Sequence, residues 1–319
     1  MANNINRRRI YGLTIRQWLG LAGIIVTAVL FGCRFCYNSV RDRLAPPGEN
    51  ANLTQPENTN RRKKREPGTT KPSSNLSIQE ATERYLRLGN PSNAGQSDSN
   101  NFLMVNSQYA LSYNRSKGTP NWVAWTTTAA DFGAADRAND FRPDDRLPNG
   151  FYRVVPNDYT ASGYDRGHLC PSADRTSSDE ANSTTFLMTN MTPQTPDLNR
   201  NVWAGLENYS RDLVRQGSEL YTIAGVYGEK GKLKGKVTIP TNDWKVILVL
   251  PNGVDESAAT PADARVIAVD MPNINGIKAD DWRKYRTTVR NVEQKTGLNL
   301  FSNLPPNVQN ALKSKMDSQ

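Results

Sequence analysis

The sequence predicts an α+β fold with a central, mostly antiparallel sheet flanked by helices, and three observations predict it. The runs "ELYTIAGVYG", "WKVILVLP" and "ARVIAVDMP" read as buried central strands. "FLMVNSQYALSYN" and "PNWVAWTTTA" place aromatic and β-branched residues between turn formers, which also reads as strand. Helical patterns do not alternate regularly with these strands, which argues against the repeating βαβ units of a parallel sheet.

In chain order, the first 40 residues read as a signal or membrane anchor. Arg7, Arg8, Arg9 and Arg16 precede the uncharged run Gln17–Cys33, 17 residues at the short edge of a transmembrane helix. Positive charge before that run orients the remainder outward, so the expected location is exported, extracellular or periplasmic, with the N-terminal segment as the membrane contact. Residues 41–75 read as a disordered basic linker: polar, Pro- and Asn-rich stretches flank Arg61–Arg65, "RRKKR". Residues 76–319 form the expected globular domain. Within it, Asn199–Gln216 reads as a helix with Val202, Leu206, Tyr209, Leu213 and Val214 on its apolar face and Gly217 as its stop. A second helix is expected over Ala279–Thr296.

Composition narrows the function classes. The net charge is +9, yet residues 1–75 carry 13 Lys+Arg against 4 Asp+Glu, and residues 76–319 carry 27 of each sign. The basicity therefore belongs to the N-terminal quarter, and any anion site in the globular part is local. Of three cysteines, only Cys170 lies beyond the N-terminal segment, which excludes a disulfide within the globular part. Cys33-x-x-Cys36 has no second ligand pair and follows an apolar run, so it reads neither as zinc nor as redox motif.

The chemistry gathers around "SGYDRGHLCPSADRT", which holds His168, the only histidine of the chain. Asn199, Trp203, Glu207 and Arg211 recur every four residues, a spacing that keeps side chains on one side of a helix. An amide oxygen at Asn199 is a hard ligand suited to Mg2+ or Mn2+. Glu207, roughly 12 Å further along the axis, reaches such a metal through its waters. Arg211 is placed to face a phosphate. His168 is the side chain whose ordinary pKa suits a general base near neutral pH.

These residues carry a family resemblance. "YDRGHLCPSADRT" followed by "TNMTPQTPDLNRNVWAGLE" resembles the DNA/RNA non-specific endonucleases, the ββα-metal nucleases with an Asp-Arg-Gly-His string, of the bacterial secreted type. "RLGNPSNA", "YALSYNRSKGTPNWVAW" and "NDFRPDDRLP" extend the resemblance over most of residues 80–260. The resemblance implies a metal-dependent, sugar-non-specific endonuclease that hydrolyses DNA and RNA to 5′-phosphate products with Mg2+ or Mn2+. It implies His168 as general base, Asn199 as direct metal ligand, Glu207 as the carboxylate acting through water, and Arg211 as support for the transition state. Arg166 falls near the metal and phosphate. Arg137 matches the upstream phosphate arginine, with Arg142 as its competitor. Asp165 is expected to fix the loop and Asn190 to orient the histidine loop. The rival readings are a non-catalytic nucleic-acid-binding protein on the same fold and a membrane-tethered scaffold; an inhibitor partner is left open.

Overall fold

The computed structural model describes residues 76–254, 260 and 264–319. The expected anchor (1–40) and linker (41–75) lie outside the described residues. Among the described residues no helix is long and apolar enough to cross a membrane.

The chain enters through helix α1 (Ile78–Tyr85), whose start is a capping box: the Ser77 hydroxyl accepts from the Glu80 amide while the Glu80 carboxylate accepts from Ser77 N–H. Strands β1 (Phe102–Val105), β2 (Ala110–Asn114) and β3 (Thr119–Thr127) follow. The run "FLMVNSQYALSYN", which reads as strand, is a hairpin of two strands. Asn106 Oδ1 accepts from the amides of Gln108 and Tyr109, and this Asx turn reverses the chain. Next come β4 (Asp165–His168), helix α2 (Asp179–Thr184) and β5 (Met191–Gln194). A π-helical stretch, Leu198–Trp203, runs directly into helix α3 (Ala204–Arg215). The remaining elements are β6 (Ser218–Tyr227), the short β7 (Lys232–Leu233) and β8 (Val237–Thr238), β9 (Asn242–Pro251), β10 (Arg265–Pro272), β11 (Arg286–Thr287), and helices α4 (Val289–Thr296) and α5 (Pro306–Ser314).

Seven strands form one antiparallel sheet in the order β1-β2-β3-β6-β9-β10-β11. Its central strands are buried on both faces, which explains why they read as continuous apolar runs. Val123, Trp125, Ile247, Val249, Ile267 and Val269 pack on one face against Val202, Trp203, Leu206 and Val214 of the π–α3 segment. Their neighbours Trp122, Ala124, Val246, Leu248, Val266 and Ala268 pack on the other face with Val289, Val292, Val308 and Leu312 of α4 and α5. The alternation is the ordinary pleat of a strand.

The helix expected over Ala279–Thr296 forms only in its second half. Asp281 accepts from the Arg283 amide and starts a 3-10 turn at Trp282–Tyr285; β11 intervenes, and Thr288 then caps α4 by accepting from Asn291 N–H. Two side-chain caps within eight residues offer the backbone alternatives to one continuous helix.

Candidate active site

The string Asp165-Arg166-Gly167-His168 is strand β4 itself, paired antiparallel with β5 so that His168 lies opposite Met191 and Gly167 opposite Thr192. Glycine is required at 167: a Cβ there would run into the Gln194 side chain, whose amide donates to buried Asp243. Asn190, fully buried, fastens the chain beyond His168 from both sides. Its Oδ1 accepts from the Cys170 amide at 3.0 Å, and its Nδ2 donates to the carbonyls of Cys170 and Thr185. Cys170 faces the core, where burial pushes its thiol up to about 12. Trp203, a member of the four-residue series, donates its Nε1–H to the His168 carbonyl at 3.3 Å and so ties the helical segment to the hairpin.

His168 is 8% exposed. Its ring meets Phe141 and Phe186 edge-on, at centroid distances of 5.6 and 4.9 Å. On those two phenyl rings lie the guanidinium groups of Arg166, 4.1 Å from the Phe141 centroid, and Arg137, 4.8 Å from that of Phe186. Burial first, then Arg137 and Arg166, lower the His168 pKa to about 3, so the imidazole is neutral. Nε2 is sealed from solvent and meets no hydrogen-bond partner, which leaves Nδ1 as the nitrogen open to the cleft.

Arg137 also donates to Asn139 Oδ1 and Ser172 Oγ, both neutral, and the Glu207 carboxylate acts on it at longer range. The competitor Arg142 turns away: it donates to the Asp140 carboxylate at 2.6 Å and to the Ser183 carbonyl of α2. Of these two arginines only Arg137 approaches His168.

Asn199 lies in the π-helical stretch. Its Nδ2 donates to Asp165 Oδ2 at 2.9 Å, and Arg200 grips the same carboxylate with Nε and Nη2 at 2.8 and 2.6 Å. Burial opposes the Asp165 charge, but the bonds from Arg200 and Asn199 hold its pKa below the usual carboxylate value. With Nδ2 committed, Oδ1 of Asn199 is the free end of the amide. Asp165, expected to fix the loop, thus also orients Asn199. The regular helix expected from Asn199 onward is replaced by the wider π turn up to Trp203, an irregularity that occurs often at functional sites.

Glu207 stands one α-helical step further, its side chain 14% exposed. Burial pushes its carboxyl up, while Lys245 and, more weakly, Arg211 oppose that shift. Lys245 was not among the expected site residues. It projects from β9 on the face of Ile247 and Val249, its side chain is 2% exposed, and its Nζ lies 3.3 Å from Glu207 Oε1 and 4.1 Å from the Trp203 ring centroid. The available signal was a lysine inside the apolar run "WKVILVLP". Arg211 is placed otherwise than expected. Its Nη1 donates to Asp174 Oδ1 at 3.0 Å and its Nη2 to Asn208, in a nearly buried ion pair that Trp125 and Thr127 complete by donating to Asp174 Oδ2. Its guanidinium is therefore held by Asp174 and Asn208.

A hard divalent cation fits this donor set. Asn199 Oδ1 is neutral and unshared, and the Glu207 carboxylate lies further along the same π–α3 segment. Among the described residues no three His, Cys, Asp or Glu side chains converge on a metal-sized site, so an ion held by Asn199 keeps most of its water, as Mg2+ tolerates.

The family model for DNA/RNA non-specific endonucleases matches residues 89–307. The chain belongs to that family. A nuclease of Nostoc sp. is 52% identical over 237 residues, covering 73% of this chain and 86% of the relative. The nuclease of Serratia marcescens is 34% identical over 229 residues, 68% of this chain and 81% of its own. Human mitochondrial endonuclease G is 31% identical over 186 residues, 54% of this chain and 60% of its own. In structure, the endonuclease resembles a chain of the EndoG/EndoGI complex with a TM-score of 0.61 at 25% identity, covering 73% of this chain and 96% of that one. The protein is a DNA/RNA non-specific endonuclease of a metal-dependent family, on an α+β fold with an antiparallel sheet, and the binding-only and scaffold readings are not favoured.

Proposed function

We propose that the endonuclease hydrolyses the phosphodiester with His168 as general base, by a neutral imidazole set between two arginines that make no ion pair among the described residues. The scissile phosphate docks with its anionic oxygens toward Arg137 and Arg166. That docking changes the base: the two guanidinium charges that lower the His168 pKa are offset by the phosphate, and the imidazole becomes a better proton acceptor when substrate is present. Nδ1 of His168 takes a proton from water, the water oxygen bonds to phosphorus, and the bond to the 3′ oxygen breaks. The departing oxygen takes a proton from surrounding water, leaving a 5′-phosphate end.

Mg2+ or Mn2+ is the ion this donor set favours, with Asn199 Oδ1 as direct ligand and Glu207 acting through its hydration shell. Such an ion would stabilise the charge that builds on phosphorus and on the leaving oxygen. Lys245 and Arg211 hold positive charge behind Glu207, and Asp165 holds Asn199. Contacts to phosphate and metal read no base edge, which supports weak sequence preference. Our reading of the N-terminal quarter is export through residues 1–40 with residues 41–75 as a tether; activity retained inside the cell would overturn it.

His168→Ala is expected to lose several orders of magnitude in turnover while folding and Mn2+ binding persist, and added imidazole should restore part of the rate. No second histidine can substitute. Turnover near that of the natural protein at pH 7 would overturn the assignment.

A further inference from the structure

We propose that the lysine hairpin Lys230–Lys236 is a second nucleic-acid contact, which takes the phosphodiester backbone where it leaves the cleft beside Arg166. The proposal rests on the nuclease reading and extends it to a surface that the reaction itself does not require.

The stretch "GEKGKLKGK", residues 228–236, places lysine at 230, 232, 234 and 236, with Glu229 as its one acid. All four lysines are exposed. The hairpin beneath them is anchored: β7 pairs with β8, and Leu233, Val237 and Ile239 pack with Tyr159, Met188 and Met191 in a small core. Met191 is the strand partner of His168, so this basic surface and the base share one support.

The ammonium groups are held by neutral acceptors. Lys230 donates to the Asn273 carbonyl, Lys232 to that of Ser116 at 3.2 Å, Lys234 to that of Asn157, and Lys236 to Tyr152 Oη at 2.9 Å. Lys245, Lys284, Lys295 and Lys313 instead each sit on a carboxylate. Asp243, buried behind Lys230, and Asp158, behind Tyr152, act on the hairpin only at longer range. The lysines are thus oriented by acceptors that carry no opposing charge, as a polyanion-binding surface requires.

The turn adds a separate observation. Lys234 has φ +46° and Gly235 φ +72°, and Lys236 N–H donates to the Leu233 carbonyl at 2.8 Å. With Leu233 paired to Val237, residues 234–236 close the hairpin, and the left-handed position at 234 favours Asn, Asp or Gly. A lysine there departs from that preference and sets a cation at the hairpin tip.

The surface also adjoins a pocket that shares Arg166 with the site. Lys230 Nζ is 5.6 Å from the Tyr164 ring centroid, and Lys234 holds the carbonyl of Asn157. Tyr164, Arg166, Tyr159 and Pro156 line a cleft of about 120 Å³. Arg166 in turn lies on Phe141, which contacts His168. A strand lying across His168 and passing Arg166 would meet these lysines next.

The test uses the full chain with Lys232→Gln, Lys234→Asn and Lys236→Gln combined; asparagine retains the left-handed preference at 234. On duplex DNA of several hundred base pairs, KM should rise about tenfold near physiological salt. The slope of log KM against log salt should shrink by about 2 to 3, one step per lost phosphate contact. Cleavage of a nitrophenyl thymidine phosphodiester, too small to reach the hairpin, should not change. An unchanged KM and salt slope would overturn the proposal, and so would an equal loss on the small ester. Fluorescence anisotropy with duplex DNA, on His168→Ala chains with and without the three substitutions, separates the two readings. Binding that depends on the lysines, in a protein that never cleaves, overturns the catalytic reading alone. Normal cleavage with lysine-independent binding overturns this one. Binding of an acidic polypeptide but not DNA through the three lysines also overturns it.

Discussion

Acidification should leave His168 neutral far below the range in which free imidazole titrates. The perturbation is pH alone, and the chain's single histidine means that one resonance reports it. The ring is closed in by Phe141 and Phe186, Nε2 meets no acceptor, and Arg137 and Arg166 stand beyond the phenyl rings. The fall in pKa from 6.5 to about 3, at about 1.4 kcal/mol per pH unit, is roughly 5 kcal/mol of preference for the neutral ring. The unfolded chain binds this proton below pH 6.5 and the folded chain does not. The contribution to stability is thus fully present above 6.5 and is lost as pH falls from 6.5 toward 3, by up to about 1.4 kcal/mol per pH unit. Histidine-labelled protein followed by NMR should show no titration between pH 8 and 5, and thymidine 3′,5′-bisphosphate should move the midpoint upward by offsetting the arginines. A midpoint at or above 6.5 in the free protein would refute the account of the site, because it would require a carboxylate partner that the ring does not have among the described residues.

The other predictions concern the groups around the base. Asn199→Ala should weaken Mn2+ binding in calorimetric titration more than Glu207→Ala does; the reverse order would exchange their assignments. Lys245→Met leaves Glu207 without its nearest cation and should cost about 3 kcal/mol in urea unfolding, with part of the loss restored by adding Glu207→Gln. Arg137→Ala should lower kcat/KM by about a hundredfold with stability nearly unchanged, whereas Arg142→Ala should lower stability with little effect on kcat/KM, judged from turnover and urea curves together.

How much of this was legible follows from how local each feature is. The β4 string, Asn190 and Asn199 lie within one stretch of chain, and their order carried the assignment. Lys245 was missed because its partner Glu207 lies on another element, and only strand pairing and the sheet face it occupies bring them together. Arg211 shared a helical face with Glu207 in sequence, but nothing there revealed that Asp174 would claim its guanidinium. The π turn at Leu198–Trp203 was hidden because a four-residue recurrence does not fix how tightly the first turn is wound. The Asn106 turn and the Ser77–Glu80 capping box depend on side chains only two or three residues apart, yet neither was read from the sequence.

Arg166, Phe141, His168, Phe186 and Arg137 form a run of stacked and edge-on contacts, and among the described residues neither arginine makes an ion pair. Dissolved ions compete with phosphate for the outer faces of these guanidinium groups within a screening length of about 8–10 Å. They have little purchase on contacts made face to ring at 4.1 and 4.8 Å. Rising salt would empty this enzyme of substrate well before it disturbed the parts that cut, so its turnover at saturation should outlast its affinity.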